Sequence, residues 1–446
     1  MIPSKAAGPG VVPEQTAQYP WYVLGLLTLV FAFGHMDRNI VAILLNSIAT
    51  DLGLTDWEAG AISGLAFGLT YILLGIPLAW LADRSNRKRI ISISLGLWSV
   101  MTALCGFTQT ALQLFFARMG VGIGEAGCVP ASQSIIADYF PKERRAFALG
   151  VFGLGIPIGT LAGFALGGLI NDAYGWRHAL IIVGGPGLIA AVILQLTLRE
   201  PRRGLSDRVE PLGGYPPPPF SETILFLVRR RSLLHLVLGT SLIVFGGYGS
   251  QTWIPAFFER SHGLTSGEIG VMLGPSLIIG GVGGTLLGGL LADRLSAKDV
   301  RWYVWIPAIA MIPAIPVSAL ALLLPSTVYT IAGLPIHAYA IAIALMALPG
   351  AAYSCYLGPA NAVLQLMVPL RMRATTVAIF LMITNLVGMG LGPVAVGAVS
   401  DFMNARFGQE SLRYTMLSFL FIYAWAALHY YLAGRSLQQD LDAQYR

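Results

Sequence analysis

Long apolar runs, separated by short polar breaks, recur near 20–49, 57–82, 88–109, 110–138, 144–171, 178–199, 231–258, 267–293, 302–324, 334–366, 374–400 and 412–434. A helix crosses a bilayer with about 20 mostly apolar residues, so the pattern predicts twelve membrane-spanning helices. Several runs exceed that length, which implies tilt or protruding ends. The rhythm stops at 200–230, where EPRRGLSDRVEPLGGYPPPPFSE is polar and proline-rich, as in a linker. The overlapping SETILFLVRRR predicts a short surface helix with Ser221 as its N-cap. The organisation is a tail (1–19), a six-helix bundle (20–199), the linker (200–230), a second bundle (231–434) and a tail (435–446).

Composition narrows the class. The 446 residues are 55% hydrophobic and only 11% charged, against about 25% charged in a soluble domain. A soluble enzyme is excluded, and the expected solvent is lipid. The 52 glycines suit helices that approach closely in a membrane. The first 19 residues lack the basic n-region of a cleavable signal, so the first run reads as a retained span. Cys105, Cys128 and Cys355 all fall within spans, which argues against a disulfide framework, and no Cys/His spacing suits a metal. No cofactor is expected.

The 28 basic residues set an orientation. Apart from Arg38 and Arg118, which lie within spans, all but Arg177, Arg260, Arg406 and Arg413 fall in the tails or in alternate loops of one side. The positive-inside rule then places both termini in the cytoplasm, in an inner or plasma membrane. The net charge of +6 is thus a topology signal, and no basic-aromatic cluster suggests nucleic acid.

The chain repeats itself. GLTDWEAG at 53–60 returns as GLTSGEIG at 263–270, and LADR at 81–84 returns at 291–294. PKERRA at 141–146 pairs with PLRMRA at 369–374. Two bundles of like orientation account for this, as in parallel-repeat transporters. AWLADRSNRK, with Asp83, Arg84, Arg87 and Lys88, and GLLADRLSAK, with Asp293, Arg294 and Lys298, resemble the loop signature of the major facilitator superfamily. RMGVGIGEAG at 118–127 is similar to that family's R-x-x-x-G-x-G motif. GIGEAG also fits a dinucleotide fingerprint, but no strand precedes it and no βαβ unit surrounds it. MDRNIVAIL, SIIADYFPKERRA and GWRHAL narrow the likeness to the Spinster branch, with Asn39 and Gly127 as departures from its pattern. The resemblance implies an all-α major facilitator fold. It also implies gating roles for Asp83, Arg84, Arg87, Lys88, Arg145, Asp293, Arg294 and Lys298, and an amphiphilic substrate such as a lysophospholipid or sphingolipid.

Candidate chemistry lies in the first bundle. Asp37, Arg38, Arg118 and Glu125 are charged residues inside spans. Each costs about 2.5–3.5 kcal/mol at the bilayer centre even on the mild insertion scale. They are expected to face one another or a wet cavity. The repeat supplies a control. Asp37 and Arg38 correspond to Gly247 and Tyr248, and Arg118 and Glu125 to Met346 and Tyr353. The second half builds its bundle without these charges, which points to function. Asp37 and Glu125 are expected to carry protons, with Arg38 and Arg118 as counter-charges or headgroup ligands, because guanidinium binds phosphate and carboxylate bidentately. His35 reads as a packing or hydrogen-bonding histidine, and Asn46 as a source of interhelical hydrogen bonds. Tyr248, Gln251, Trp253, Tyr353, Tyr356 and Asn361 are candidates to line a cavity for an amphiphile.

The expected function is proton-coupled secondary transport by a monomer, with protons, membrane lipid and a small amphiphile as partners. An organic-anion/proton symporter is the alternative within transport, and a lipid scramblase or non-transporting receptor the alternative outside it. No G-x-x-x-x-G-K-[ST] motif supports ATP-driven transport, and no catalytic constellation suggests an enzyme.

Overall fold

The computed structural model describes residues 18–202, 220–331, 334–369 and 372–442, without the side chains of Asp83, Ala146, Phe220 and Ala374. The first bundle comprises α1 (Tyr19–Leu52), α2 (Asp56–Gly60), α3 (Ala66–Arg84), α4 (Arg87–Cys105), α5 (Ala111–Glu125), α6 (Cys128–Tyr139), α7 (Lys142–Gly153), α8 (Gly155–Tyr174) and α9 (Trp176–Thr197). After α10 (Phe220–Arg229), the second contains α11 (Arg231–His262), α12 (Ser266–Ser296), α13 (Trp302–Leu323), α14 (Ala338–Leu345), α15 (Ala347–Ser354), α16 (Leu357–Met367), α17 (Arg373–Asn385), α18 (Gly392–Phe407) and α19 (Ser411–Asp442). π-Helical segments, Ala61–Leu65 and Leu386–Leu391, join α2 to α3 and α17 to α18. Grouped as α1, α2–α3, α4, α5–α6, α7–α8 and α9, then α11, α12, α13, α14–α16, α17–α18 and α19, these form the twelve spans.

Proline explains the broken spans. Pro130, Pro157, Pro349 and Pro359 each stand third in a helix: α6, α8, α15 and α16. Each lacks the N–H that would bond four residues back, so the preceding helix ends there. α5 therefore stops at Glu125, and a candidate side chain falls at a helix break.

Two expectations need correction. Residues 334–337 are not helical. Val328–Ile331 (β1) and Leu334–His337 (β2) form an antiparallel hairpin before α14. The β-branched Val328, Thr330, Ile331 and Ile336 favour extended backbone there. Ser221 lies inside α10, which begins at Phe220, and so does not cap it. Most of the linker and the N-terminal tail lie outside the described residues.

Helices pair within each bundle, and the largest apolar core runs on across the bundle interface, where α8 packs along α12. α1 packs along α8 and α4 along α9, while α11 packs along α19 and α12 along α15. Glycines make the first contact possible. A Cβ at Gly163 would stand 2.7 Å from the Met36 carbonyl oxygen. The face where α1 begins and α19 ends is called proximal below, and the opposite face distal. Hydrogen bonds join the two bundles from mid-depth, at Gln251–Asn39, to the distal face, at Asp56–Asp401.

Candidate functional site

Arg38 and Glu125 meet. Nε of Arg38 donates to Oε2 of Glu125 at 2.8 Å, and a terminal guanidinium nitrogen lies 2.7 Å from the same oxygen. Glu125 is 3% exposed and Arg38 17%. The helix break explains the pairing. Glu125 is the last residue of α5, where the negative end of the helix dipole disfavours a carboxylate. A cation from α1 offsets that. Gly34, one turn before Arg38, lies against the carboxylate, where a Cβ would be in ordinary contact with Oε2 at 3.4 Å. The π-segment before α3 helps to set Phe67 and Tyr71 beneath the guanidinium, with ring centroids 5.0 and 4.6 Å from its central carbon.

Asp37 and Arg118 sit beside this pair without joining it. Asp37 is buried, and its Oδ2 accepts a hydrogen bond from Thr102 at 3.1 Å. Arg118 is 2% exposed, with its guanidinium 5.3 Å from the Phe67 ring centroid. Among the described residues it makes no ion pair, and its Nε has no hydrogen-bond partner. All four charges lie within electrostatic reach of one another. The expected cluster is therefore one contact pair flanked by a carboxylate and a guanidinium. A small cavity beside it is lined by Gly34, His35, Arg38, Trp98, Glu125 and Cys128. His35 bonds the Phe31 carbonyl at 3.2 Å and sets its ring edge-on to Phe31.

The candidate lining residues divide. Gln251 crosses the bundle interface, donating to Asn39 at 3.0 Å. Asn39 in turn donates to the carbonyl of His35 and to Thr160. Tyr248 faces the charges, within electrostatic reach of Arg38, Tyr71 and Glu125, and Tyr356 lies in reach of Tyr248. Trp253 and Tyr353 turn into the second bundle instead. Trp253 is fully buried and donates to the Pro393 carbonyl at 2.9 Å. Tyr353 stacks on Tyr423 at 4.0 Å and hydrogen-bonds Ser318. Asn361 is exposed and donates to its own helix at the Leu357 carbonyl.

The candidate gating residues divide as well. Arg87 is 1% exposed and donates to Asp138, Glu200, Ser134 and the Pro201 carbonyl. It knits α4, α6 and the chain after α9, all within one bundle. Lys88 contributes its backbone N–H to Glu200. Arg84 covers the Trp80 ring, and Arg145 bonds the Ala137 carbonyl. The side chain of Asp83 lies outside the described residues. In the second copy Ala297 stands where Arg87 does, and no comparable clamp forms among the described residues. The side chains of Asp293, Arg294 and Lys298 are exposed, without hydrogen bonds or ion pairs among the described residues.

Sequence reasoning missed Thr102, Phe67 and Tyr71, which hold Asp37 and Arg38. It also missed Asp56, Arg260 and Asp401 at the distal face. The first three resemble any residue of an apolar helix. The last three stand in or beside polar turns, where a charge carries no signal by itself.

Comparison with known proteins gives consistent results. A family model described as the Major Facilitator Superfamily matches residues 27–393. An MFS-type efflux pump of Mycolicibacterium smegmatis is 33% identical over 430 residues, covering 96% of this chain and 95% of that protein. Protein spinster homolog 3 of Danio rerio is 27% identical over 451 residues, covering 95% and 86%. Among solved structures, a bacterial homolog to the human lysosomal transporter Spinster, inward-facing and unoccupied, superposes with a TM-score of 0.83 at 30% identity. That match covers 96% of this chain and 99% of the other.

Proposed function

The chain belongs to the Major Facilitator Superfamily, and from that membership we propose that it is a proton-coupled secondary transporter working by alternating access. The observation that carries the proposal is the buried Arg38–Glu125 pair with Asp37 and Arg118 beside it. Burial disfavours a charged carboxylate and a neighbouring guanidinium favours it. A movement that separates Arg38 from Glu125 therefore changes the affinity of Glu125 for a proton. Protonated, Glu125 releases Arg38. Deprotonated, it recaptures Arg38 or competes with an anionic cargo for it. Asp37 offers a second carboxylate, and Arg118 a guanidinium with no ion pair of its own.

The proposed cargo is amphiphilic. Its polar end meets the arginines of the first bundle, and its apolar end meets the face that carries Tyr248 and Tyr356. Likeness to Spinster proteins supports a lysophospholipid- or sphingolipid-like substrate. The excess of basic residues on the proximal loops supports a cytoplasmic proximal face, in a cell's inner or plasma membrane, for a protein acting as a monomer.

The test is uptake or efflux in proteoliposomes under an imposed pH gradient. Glu125→Gln and Asp37→Asn are each expected to reduce gradient-driven accumulation, with substrate exchange at equal pH better preserved. Undiminished accumulation in both variants refutes proton coupling through these groups. One observation favours a second reading, organic-anion/proton symport: among the described residues, the guanidinium of Arg118 has no carboxylate within ion-pair distance. Competition by small hydrophilic carboxylates, lost in Arg118→Gln, would select it. Saturable counterflow separates either carrier from a scramblase or receptor.

A further inference from the structure

The repeated turns GLTDWEAG and GLTSGEIG have a structural consequence that proton coupling does not use. Each opens a span with a capping box. Thr55 and Glu58 bond reciprocally at the start of α2, as do Thr265 and Glu268 at the start of α12. A capping box satisfies only some of the four N–H groups that a helix start leaves free. Further N–H groups at both starts are taken up by the opposite bundle. Asp401, on α18, accepts from the backbone N–H of Asp56 at 3.0 Å and of Trp57 at 2.8 Å. Asp172, on α8, accepts from the backbone N–H of Gly267 at 2.9 Å. The arrangement is reciprocal, with each bundle supplying an aspartate that caps a span of the other. The repeat spacing brings Asp172 onto Asp401 to within one residue of the offset that pairs PKERRA with PLRMRA.

Side chains reinforce each cap. Both terminal nitrogens of Arg260 reach Asp56 at 2.8 Å, Ser400 donates to Asp56 at 2.6 Å, and Asn171 donates to Ser266 at 2.9 Å. The backbones are close enough to exclude intervening side chains. A Cβ on Gly60 would lie 2.5 Å from the Pro393 carbonyl oxygen.

We propose that Asp172 and Asp401 form a two-point latch that holds the distal face closed by capping helices across the bundle interface. The inference rests on the alternating-access reading given above. Opening the distal face strips acceptors from three backbone N–H groups and partners from two carboxylates at once. The latch thereby sets the resting balance between the two access states, independently of the Arg38–Glu125 pair.

The test reads the states directly, without transport. Spin labels go at Gln109 and Gln409, exposed distal residues of the first and second bundle, in protein reconstituted into lipid nanodiscs. Asp401→Ala and Asp172→Ala are each expected to raise the population with separated labels by about fivefold, the factor set by loss of one N-cap. The double variant should exceed either single one. Asp401→Asn keeps a capping oxygen and should stay within about twofold of wild type. Asp299→Ala, a half-buried proximal carboxylate bonded only within its own loop to Arg301, is the control. Unchanged distance distributions in both folded alanine variants overturn the latch, and so does an asparagine variant as open as the alanine one. If the alanine variants do not fold, amide exchange on the wild-type protein decides. Exchange in the Asp56–Trp57 and Gly267 peptides must occur at the common rate of label separation, and independent rates overturn the proposal. Failure here leaves pH-driven uptake untouched, so it stays distinct from failure of proton coupling.

Discussion

Replacing Arg38 and Glu125 singly and together measures whether their contact is a working ion pair. Both contacts converge on one carboxylate oxygen, at 2.8 and 2.7 Å, around a glutamate that is 3% exposed. Removing one partner of a buried pair costs about 3–5 kcal/mol. Arg38→Gln should fall at the lower end, about 3 kcal/mol, because the stranded carboxylate can take up a proton. Glu125→Gln should cost less, about 1.5 kcal/mol. It keeps an acceptor oxygen, and the guanidinium retains the rings of Phe67 and Tyr71. The double glutamine variant replaces the pair by two amides and strands no charge, so it should cost about 2 kcal/mol. The two singles together exceed this, which leaves a coupling energy of about 2–3 kcal/mol, or roughly 50-fold in an equilibrium constant. The assay is unfolding in mixed micelles by titration with a denaturing detergent, followed by tryptophan fluorescence. A coupling below about 0.5 kcal/mol, the additivity error of independent sites, would show that the two side chains do not depend on each other.

Other outcomes follow from the same geometry. Arg87→Ala removes a guanidinium bonded to two carboxylates, a hydroxyl and a carbonyl, and should destabilise the protein by about 3 kcal/mol. Lys298→Ala, next to Ala297 at the exposed matching turn of the second half, should change stability by less than about 0.5 kcal/mol. Gly163→Val should cost about 2–3 kcal/mol in the same unfolding assay, because its Cβ meets the Met36 carbonyl at 2.7 Å and forces α1 from α8. Trp253→Phe should lose about 1 kcal/mol with unchanged substrate preference, since Trp253 is buried, donates to the Pro393 carbonyl and otherwise meets the distal Arg260 over its ring. Tyr248→Phe should instead alter competition between substrates, because Tyr248 faces Arg38.

Much of this was legible in the order of residues. Hydrophobic runs placed the spans because the bilayer leaves a helix little choice of length, and the echoed turns revealed the two halves. The four charges stood out because lipid makes a lone charge costly. The pairing did not stand out. Helical spacing places Arg118 and Glu125 on one face, but the break before Pro130 makes Glu125 a terminal residue, and that turns the carboxylate to Arg38. Aromatic residues misled for a related reason. Trp253 and Tyr248 lie five residues apart on α11, more than one turn and so on different faces. Only packing against α18 and α19 decides that one is buried in the bundle and the other looks across the interface. The loop signature, present twice, suggested two clamps, and a single alanine at position 297 removes the second.

The two halves can be separated into what the repeat shares and what it does not. The capping boxes, the helices interrupted before proline and the aspartates at the distal face occur in both bundles. Those features govern how one bundle meets the other, which a two-fold rocking motion requires of both sides alike. The charges occur in one bundle only. Where the first half has Arg38, the second has Tyr248, and where the first has Glu125, the second has Tyr353, stacked on Tyr423. A cargo with chemically identical ends would need no such difference. The proposed amphiphile, with a charged end and an apolar end, would be matched by one bundle that offers guanidinium and carboxylate and another that offers Tyr248 and Tyr356. Moving a guanidinium into the second half by Tyr248→Arg tests this directly. It should weaken transport of an amphiphile by placing a like charge opposite Arg38, while the distal latch, built from other residues, keeps its balance of states.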